Sequence, residues 1–170
     1  MNYEKNLLDF YVKYKGQYEV NDVLWYSNMS TIIRSNGGDF RRNCAIFALM
    51  SINTSLTSNI KKFDHYIETG EFRGLFPDKF IKIQKAKSEE DLLTALNGNK
   101  VKNFFMNLYN PVDPKYVTID RWAYRVAGFQ GKPTNKRYIE IANAYKTASN
   151  KLGLLPNQLQ SCTWCAIRKI

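Results

Sequence analysis

The 170-residue sequence predicts an all-α fold of about ten helices. Three observations carry that expectation. Apolar residues recur at three- and four-residue spacings along most of the chain, the period that keeps one face of a helix dry. Serine, asparagine and proline open these stretches and glycine closes them, as helix caps and stops do. Clean apolar–polar alternation, the mark of a half-buried strand, is rare.

In chain order, Glu4 to Tyr14 puts Leu7, Leu8, Tyr11 and Tyr14 on one helical face, and Gly16 breaks it. Val20 to Arg34 is a second helical stretch, followed by a turn at Asn36-Gly37-Gly38-Asp39. Arg41 to Ser51 is apolar on every side after Asn43, which places it at the centre of a domain. A polar loop from Ser51 to Ser55 leads into Leu56 to Thr69, an amphipathic helix stopped by Gly70. Pro77 to Ala86 has proline in its first turn, where no amide hydrogen is needed. Ser88 is a cap followed by Glu89, Glu90 and Asp91, which suit the positive end of a helix dipole. That helix runs to about Leu96, and Asn97-Gly98-Asn99 turns the chain. Lys100 to Leu108 is the next helix, with Val101, Phe104, Phe105 and Leu108 on its apolar face. Residues 88 to 108 therefore read as helix, glycine turn, helix. Pro111 and Pro114 keep the following loop extended. Asp120 opens a short helix to Ala127, and Gly128 to Thr134 is a loop. Asn135 is the expected cap of a long helix whose dry face is Tyr138, Ile141, Ala142, Tyr145, Ala148 and Leu152. Gly153 ends it, and Pro156 begins the last helix, through Leu159, Cys162 and Ile167.

The length fits one domain, or two lobes sharing a core. No apolar run reaches membrane-spanning length, and the first residues lack the apolar core of a secretion signal. A cytoplasmic protein with no membrane partner is expected. Three cysteines cannot complete a disulfide framework. Cys162 and Cys165 share a helical face beside Trp164, but His65 is the single histidine, too few ligands for a metal. Neither a metal nor a cofactor is expected. Trp122, Tyr124, Phe129 and Trp164 read as core aromatics at helical spacing.

Charge is unevenly spread. From Gly98 onward there are 12 lysines and arginines against three acids, Asp113, Asp120 and Glu140, so this half carries +9 of the chain's +10. Such a half points to a polyanion, most simply nucleic acid. The alternative is a basic protein kept soluble by its charge. Asp120 is a rare negative charge in that half. Taken singly, Asp120 is a helix cap, Lys100 a solvated lysine after a turn and Asn53 a turn residue.

Taken together and in order, Gly98-Asn99-Lys100-Val101 and Val117-Thr118-Ile119-Asp120 resemble motifs of the helix-hairpin-helix DNA glycosylase superfamily. This is the endonuclease III and oxoguanine glycosylase group, here in a short, bacteriophage-type form. Its members carry a glycine hairpin ending in Gly-x-Lys, then a hydrophobic-x-hydrophobic-Asp that opens a helix. The separation of 20 residues between Lys100 and Asp120 is close to the family's. The apolar helix ending Leu49-Met50-Ser51-Ile52-Asn53 is similar to the family's buried helix, which ends in serine and then an amide residue. There are departures. Leu96 stands where the family hairpin has its first glycine and Ala95 where it has proline, and no four-cysteine iron–sulfur segment is present.

The resemblance implies a single two-lobed, glycosylase-like domain over residues 1–170, with its helix-hairpin-helix within 88–108. It implies binding to double-stranded DNA, eversion of a base and cleavage of its N-glycosidic bond. Asp120 would stabilise positive charge on the sugar, and Lys100 would attack C1′ as an amine, permitting strand cleavage at the abasic site. Asn53 would fill the vacated stack. Gly98 and Asn99 at the hairpin, with Lys102, Arg121 and Arg125, would hold the phosphate backbone. Three other readings stay open: a DNA-binding protein of the same fold without the reaction, an enzyme modifying bases in phage DNA, and an inhibitor of a host factor.

Overall fold

A computed structural model describes all residues, Met1 to Ile170. It is all-α, with eleven α-helices and no strand. They are α1 (Tyr3–Tyr14), α2 (Val20–Val23), α3 (Trp25–Ser35), α4 (Phe40–Met50), α5 (Leu56–Thr69) and α6 (Pro77–Lys85). Then come α7 (Glu89–Leu96), α8 (Asn99–Tyr109), α9 (Arg121–Val126), α10 (Asn135–Lys151) and α11 (Pro156–Ile167). No helix is long and apolar enough to cross a membrane.

The capping signals fall where the sequence puts them. Ser55, Ser88 and Asp120 each accept a hydrogen bond from the backbone N–H three residues on. Gly70 closes α5 in the left-handed region, which a glycine enters without steric cost. Two boundaries differ. The cap of α10 is Thr134, whose hydroxyl accepts from the Arg137 N–H, and Asn135 is already inside the helix. The stretch from Val20 to Arg34 is two helices, because the backbone leaves helical geometry at Leu24. The Ser161 hydroxyl explains the break: it donates to the Asp22 carbonyl at 2.7 Å, satisfying a group that a continuous helix would have bonded internally.

Two apolar cores form. The first gathers α3, α4, α6, α7 and α8 with Phe63 of α5, and α4 runs through its middle. From Asn43 to Met50 every residue of α4 is buried, as its all-round apolar sequence requires. The second core joins Leu7 of α1 to Val117, Ile119, α9, α10 and Leu159 of α11. The chain's first helix therefore packs with its last three. Helix α11 lies across the junction. It touches α2 and α3 on one side and α1, α9 and α10 on the other.

A candidate active site at the junction of two cores

The extended segment before α9 is laid along α8 by three polar side chains. On α8, Asn103 and Asn107 are one turn apart and so share a face. The Asn103 Oδ1 accepts from the Val117 N–H at 3.2 Å, and the Asn107 Nδ2 donates to the Tyr116 carbonyl at 3.0 Å. The Thr118 hydroxyl donates to the Asn107 Oδ1 at 2.9 Å. From α10, the Tyr138 hydroxyl donates to the Val117 carbonyl at 2.9 Å and accepts from the Ile119 N–H at 3.0 Å. The segment is thus pinned against one face of α8. Lys100 stands on that face of α8, one turn before Asn103. Asp120, at the end of the segment, arrives beside it.

Lys100 and Asp120 line the same cavity of about 130 Å³. Trp25, Tyr26 and Phe104 form its wall from the first core, and Thr118, Gln160 and Trp164 close it from the second side. Ser51, Thr54 and Asn59 lie at the end bounded by α4 and α5. The aromatic wall is braced: the Trp25 ring packs on Tyr26 (4.9 Å between centroids), Trp164 (6.2 Å) and Phe104 (6.3 Å). The Tyr26 hydroxyl donates to the Gln160 carbonyl oxygen at 2.7 Å, tying α3 to α11.

Asp120 is half-buried, and its Oδ1 accepts from the Ala123 N–H at 2.8 Å. Burial raises its proton affinity above the usual carboxylate range. The Ala123 N–H, the positive charge of Lys100, the Trp122 N–H and the Trp164 indole oppose that rise without cancelling it. Asp120 and Lys100 make no direct salt bridge. Both also line an outer groove of about 320 Å³, with Arg121, Thr134 and Asn135. There the N-termini of α8 and α10 meet, the Asn99 Nδ2 donating to the Asn135 Oδ1 at 3.3 Å. No side chain caps α8, so its first N–H groups are free for an anion.

The chain belongs to a family of unknown function (DUF7178). It matches that family over residues 1–170. No curated protein and no solved structure matches it.

The other residues expected at a site in this member of the family are more scattered. Gly98 adopts φ +82°, as the turn between α7 and α8 requires, and Asn97 before it also has positive φ. Lys102 is half-buried and lines neither the cavity nor the groove. Arg121 and Arg125 are exposed and flank the Trp122 ring, at 5.1 Å and 4.8 Å from its centroid. None of Lys100, Lys102, Arg121 and Arg125 is held in an ion pair. Asn53 is exposed with φ +52° and does not line the cavity, although Ser51 and Thr54 on either side of it do. Trp164, read as core from its spacing, is half-buried and faces the cavity, with the Arg168 guanidinium 4.1 Å from its ring centroid. The cysteines are free, and burial pushes the Cys162 and Cys165 thiols each up to about 12, which leaves them protonated and unreactive at neutral pH.

Several site residues carry no signal in the linear pattern. Asn103 and Asn107 are the exception in kind. Two asparagines four residues apart beside the apolar residues of this helix are costly to bury unless they bond to something, and that could have marked them. Gln160 and Asn59 look like ordinary polar helix residues until the fold buries them.

Proposed function

We propose that the protein binds duplex DNA, receives an everted nucleotide in the cavity between its two cores and cleaves that nucleotide's N-glycosidic bond. The observation that carries the proposal is the sharing of one aromatic-walled cavity by the amine of Lys100 and the carboxylate of Asp120. This pairing also supports kinship with the helix-hairpin-helix glycosylases, in which a hairpin lysine and a helix-opening aspartate act together.

The chemistry follows from the two groups. As the bond from C1′ to the base breaks, its electron pair leaves with the base and positive charge grows on the sugar. A carboxylate near the ring stabilises that charge, most strongly where water is excluded. The Lys100 Nζ, once neutral, forms a bond to C1′, and its surplus proton passes to Asp120, whose raised proton affinity suits a base. The nitrogen lone pair then opens the sugar ring, the C1′–O4′ bond breaking as O4′ takes up a proton, and the resulting Schiff base allows strand cleavage at the abasic site. The outer groove, with Arg121 and the uncapped start of α8, would hold flanking phosphates.

Borohydride trapping tests this. The protein is incubated with duplex DNA carrying an abasic site or a damaged base, and the mixture is reduced. A covalent protein–DNA adduct that is absent in Lys100→Ala is the expected result. Binding without adduct or base release, unchanged by Asp120→Asn, would leave only a DNA-binding scaffold. Absence of DNA affinity at low salt would remove the nucleic-acid reading altogether.

A further inference from the structure

The hollow beside Lys100 and Asp120 continues beyond the outer groove. That groove shares Arg121, Tyr124 and Pro133 with a second, open groove of about 620 Å³. Cavity, outer groove and second groove therefore follow one another, each sharing residues with the next. Helix α9 contributes Arg121, Tyr124 and Arg125 to the second groove, and the loop after it contributes Phe129, Gly131 and Pro133. Arg121 and Arg125 are four residues apart, so they stand on one face of α9, about 6 Å apart along its axis.

The second groove is lined by two arginines and by no acid. Neither arginine is held in an ion pair, and neither is Lys132, exposed on the same loop. Unpaired cations along a groove suit a polyanion. The aromatic part narrows which one. Phe129 is half-buried, borders the groove and packs on the Tyr124 ring at 5.5 Å between centroids. The Arg137 guanidinium lies 5.1 Å from the Phe129 centroid and lines neither groove, so it braces the ring without occupying the hollow. Cations that track a backbone, beside a ring on which a base stacks, are how proteins hold single-stranded nucleic acid. In a duplex each base face is covered by its neighbours. A paired strand lying across α9 can reach the exposed arginines, but only an unpaired base can use the ring. An acidic peptide would use the charges and leave the ring idle.

We propose that the second groove binds unpaired nucleotides of the strand that delivers its nucleotide to the cavity, with Arg121 and Arg125 on the phosphates and Phe129 against a base. The substrate class is then DNA that is single-stranded on one side of the target nucleotide. One side is specified because the groove departs from the cavity in one direction, past α9, while Lys100 is the single cation lining the cavity itself. This rests on the base-excision reading of the neighbouring cavity, but it concerns where a strand is held and not bond cleavage, so the two can fail separately. Phe129 is a specificity-determining residue in it.

The test uses the full chain and DNA carrying a tetrahydrofuran abasic analogue, which sets the register and cannot form a Schiff base. Fluorescence anisotropy compares a fully paired duplex with two others, in which the strand bearing the analogue is left unpaired just beyond it on the 3′ side or on the 5′ side. One of these two should bind about tenfold more tightly than the paired duplex, the scale of a single base stacked on a protein ring. That gain should persist as salt is raised, because the added contact is a stacked base and not a charge. It should vanish in Phe129→Leu, with binding of the paired duplex unchanged; because the DNA series is read on the unaltered protein, it stands even if this variant does not fold. No gain on either side, an equal gain on both, or a gain kept by a folded Phe129→Leu variant would overturn the assignment. So would polyglutamate of matched charge displacing the unpaired strand as well as single-stranded DNA does. A trapped adduct on abasic duplex with no gain from an unpaired side would overturn it while leaving base excision intact. A one-sided gain without any trapped adduct or base release would uphold the strand groove and sink the excision chemistry.

Discussion

Asp120 is asked to do two things, and one pair of substitutions separates them. Its carboxylate caps α9 through a 2.8 Å bond from the Ala123 N–H, and it supplies negative charge to the cavity. Asp120→Ala removes both. Loss of a cap of this kind costs about 1 kcal/mol, which in a chain of this length lowers Tm by about 2–4 °C. Asp120→Asn keeps the cap, because the amide oxygen can accept the same N–H, and removes only the charge. Burial raises the carboxyl's proton affinity in the folded state, so the folded chain holds this proton more tightly than the unfolded chain does. The stability it contributes is therefore complete below the ordinary carboxylate range and is lost as pH rises through the raised value. Against wild type, Asp120→Asn should then gain stability as pH climbs through that window and keep the gain at neutral pH. Its base release should nonetheless fall about 10²–10³-fold, the usual effect of deleting a preorganised electrostatic partner. Thermal melts from acid to neutral pH, with single-turnover excision on the same samples, measure both quantities. Excision within a few-fold of wild type in Asp120→Asn, or a melting point as low as that of Asp120→Ala at neutral pH, would refute the reasoning.

Arg121→Ala and Arg125→Ala should each weaken duplex binding for every sequence and reduce the salt dependence, log K against log salt losing about 0.9 in slope per phosphate contact removed; fluorescence anisotropy at several salt concentrations reads this. Tyr138→Phe strips the hydroxyl from the Val117 carbonyl and the Ile119 N–H, both buried. It should cost about 1–3 kcal/mol in urea unfolding, and the Ile119 amide should exchange faster with solvent. Gly98→Ala meets no atom within 4 Å, so any loss is backbone strain at φ +82°, about 1–3 kcal/mol in the same measurement.

Most helices were legible because their ends carry local chemistry. Helix α5 matches its expected range at both ends, since Ser55 and Gly70 are a cap and a stop that act within one turn. The break at Leu24 was not legible, because the hydroxyl that stabilises it belongs to Ser161, 139 residues away from Asp22. The same division runs through the site. Asp120 announces itself as a cap after an apolar run, and Lys100 as the first cation after a glycine turn. What places them together is the hold of Asn103, Asn107 and Tyr138 on residues 116–119, and a hydrogen bond between distant segments leaves no periodicity behind. Gln160 and Asn59 were invisible for a further reason. A helix-interior amide has the same sequence appearance whether it faces water or an enclosed cavity.

The arrangement of the two cores also fixes an order of events during synthesis. The first core is assembled from helices that follow one another from Tyr26 to Leu108, so its contacts are available once that stretch has left the ribosome. The second must wait, because Leu7 of α1 finds its neighbours only when α9, α10 and α11 exist. Contacts so distant along the chain form slowly. Until they do, the apolar residues of the α1 segment are unmatched, and the wall contributed by Thr118, Gln160 and Trp164 is missing. Pulsed hydrogen exchange during refolding should find the amides of α4 and α8 protected before those of α1 and α10. A nascent chain is then committed to its interior well before it acquires a place for a ligand.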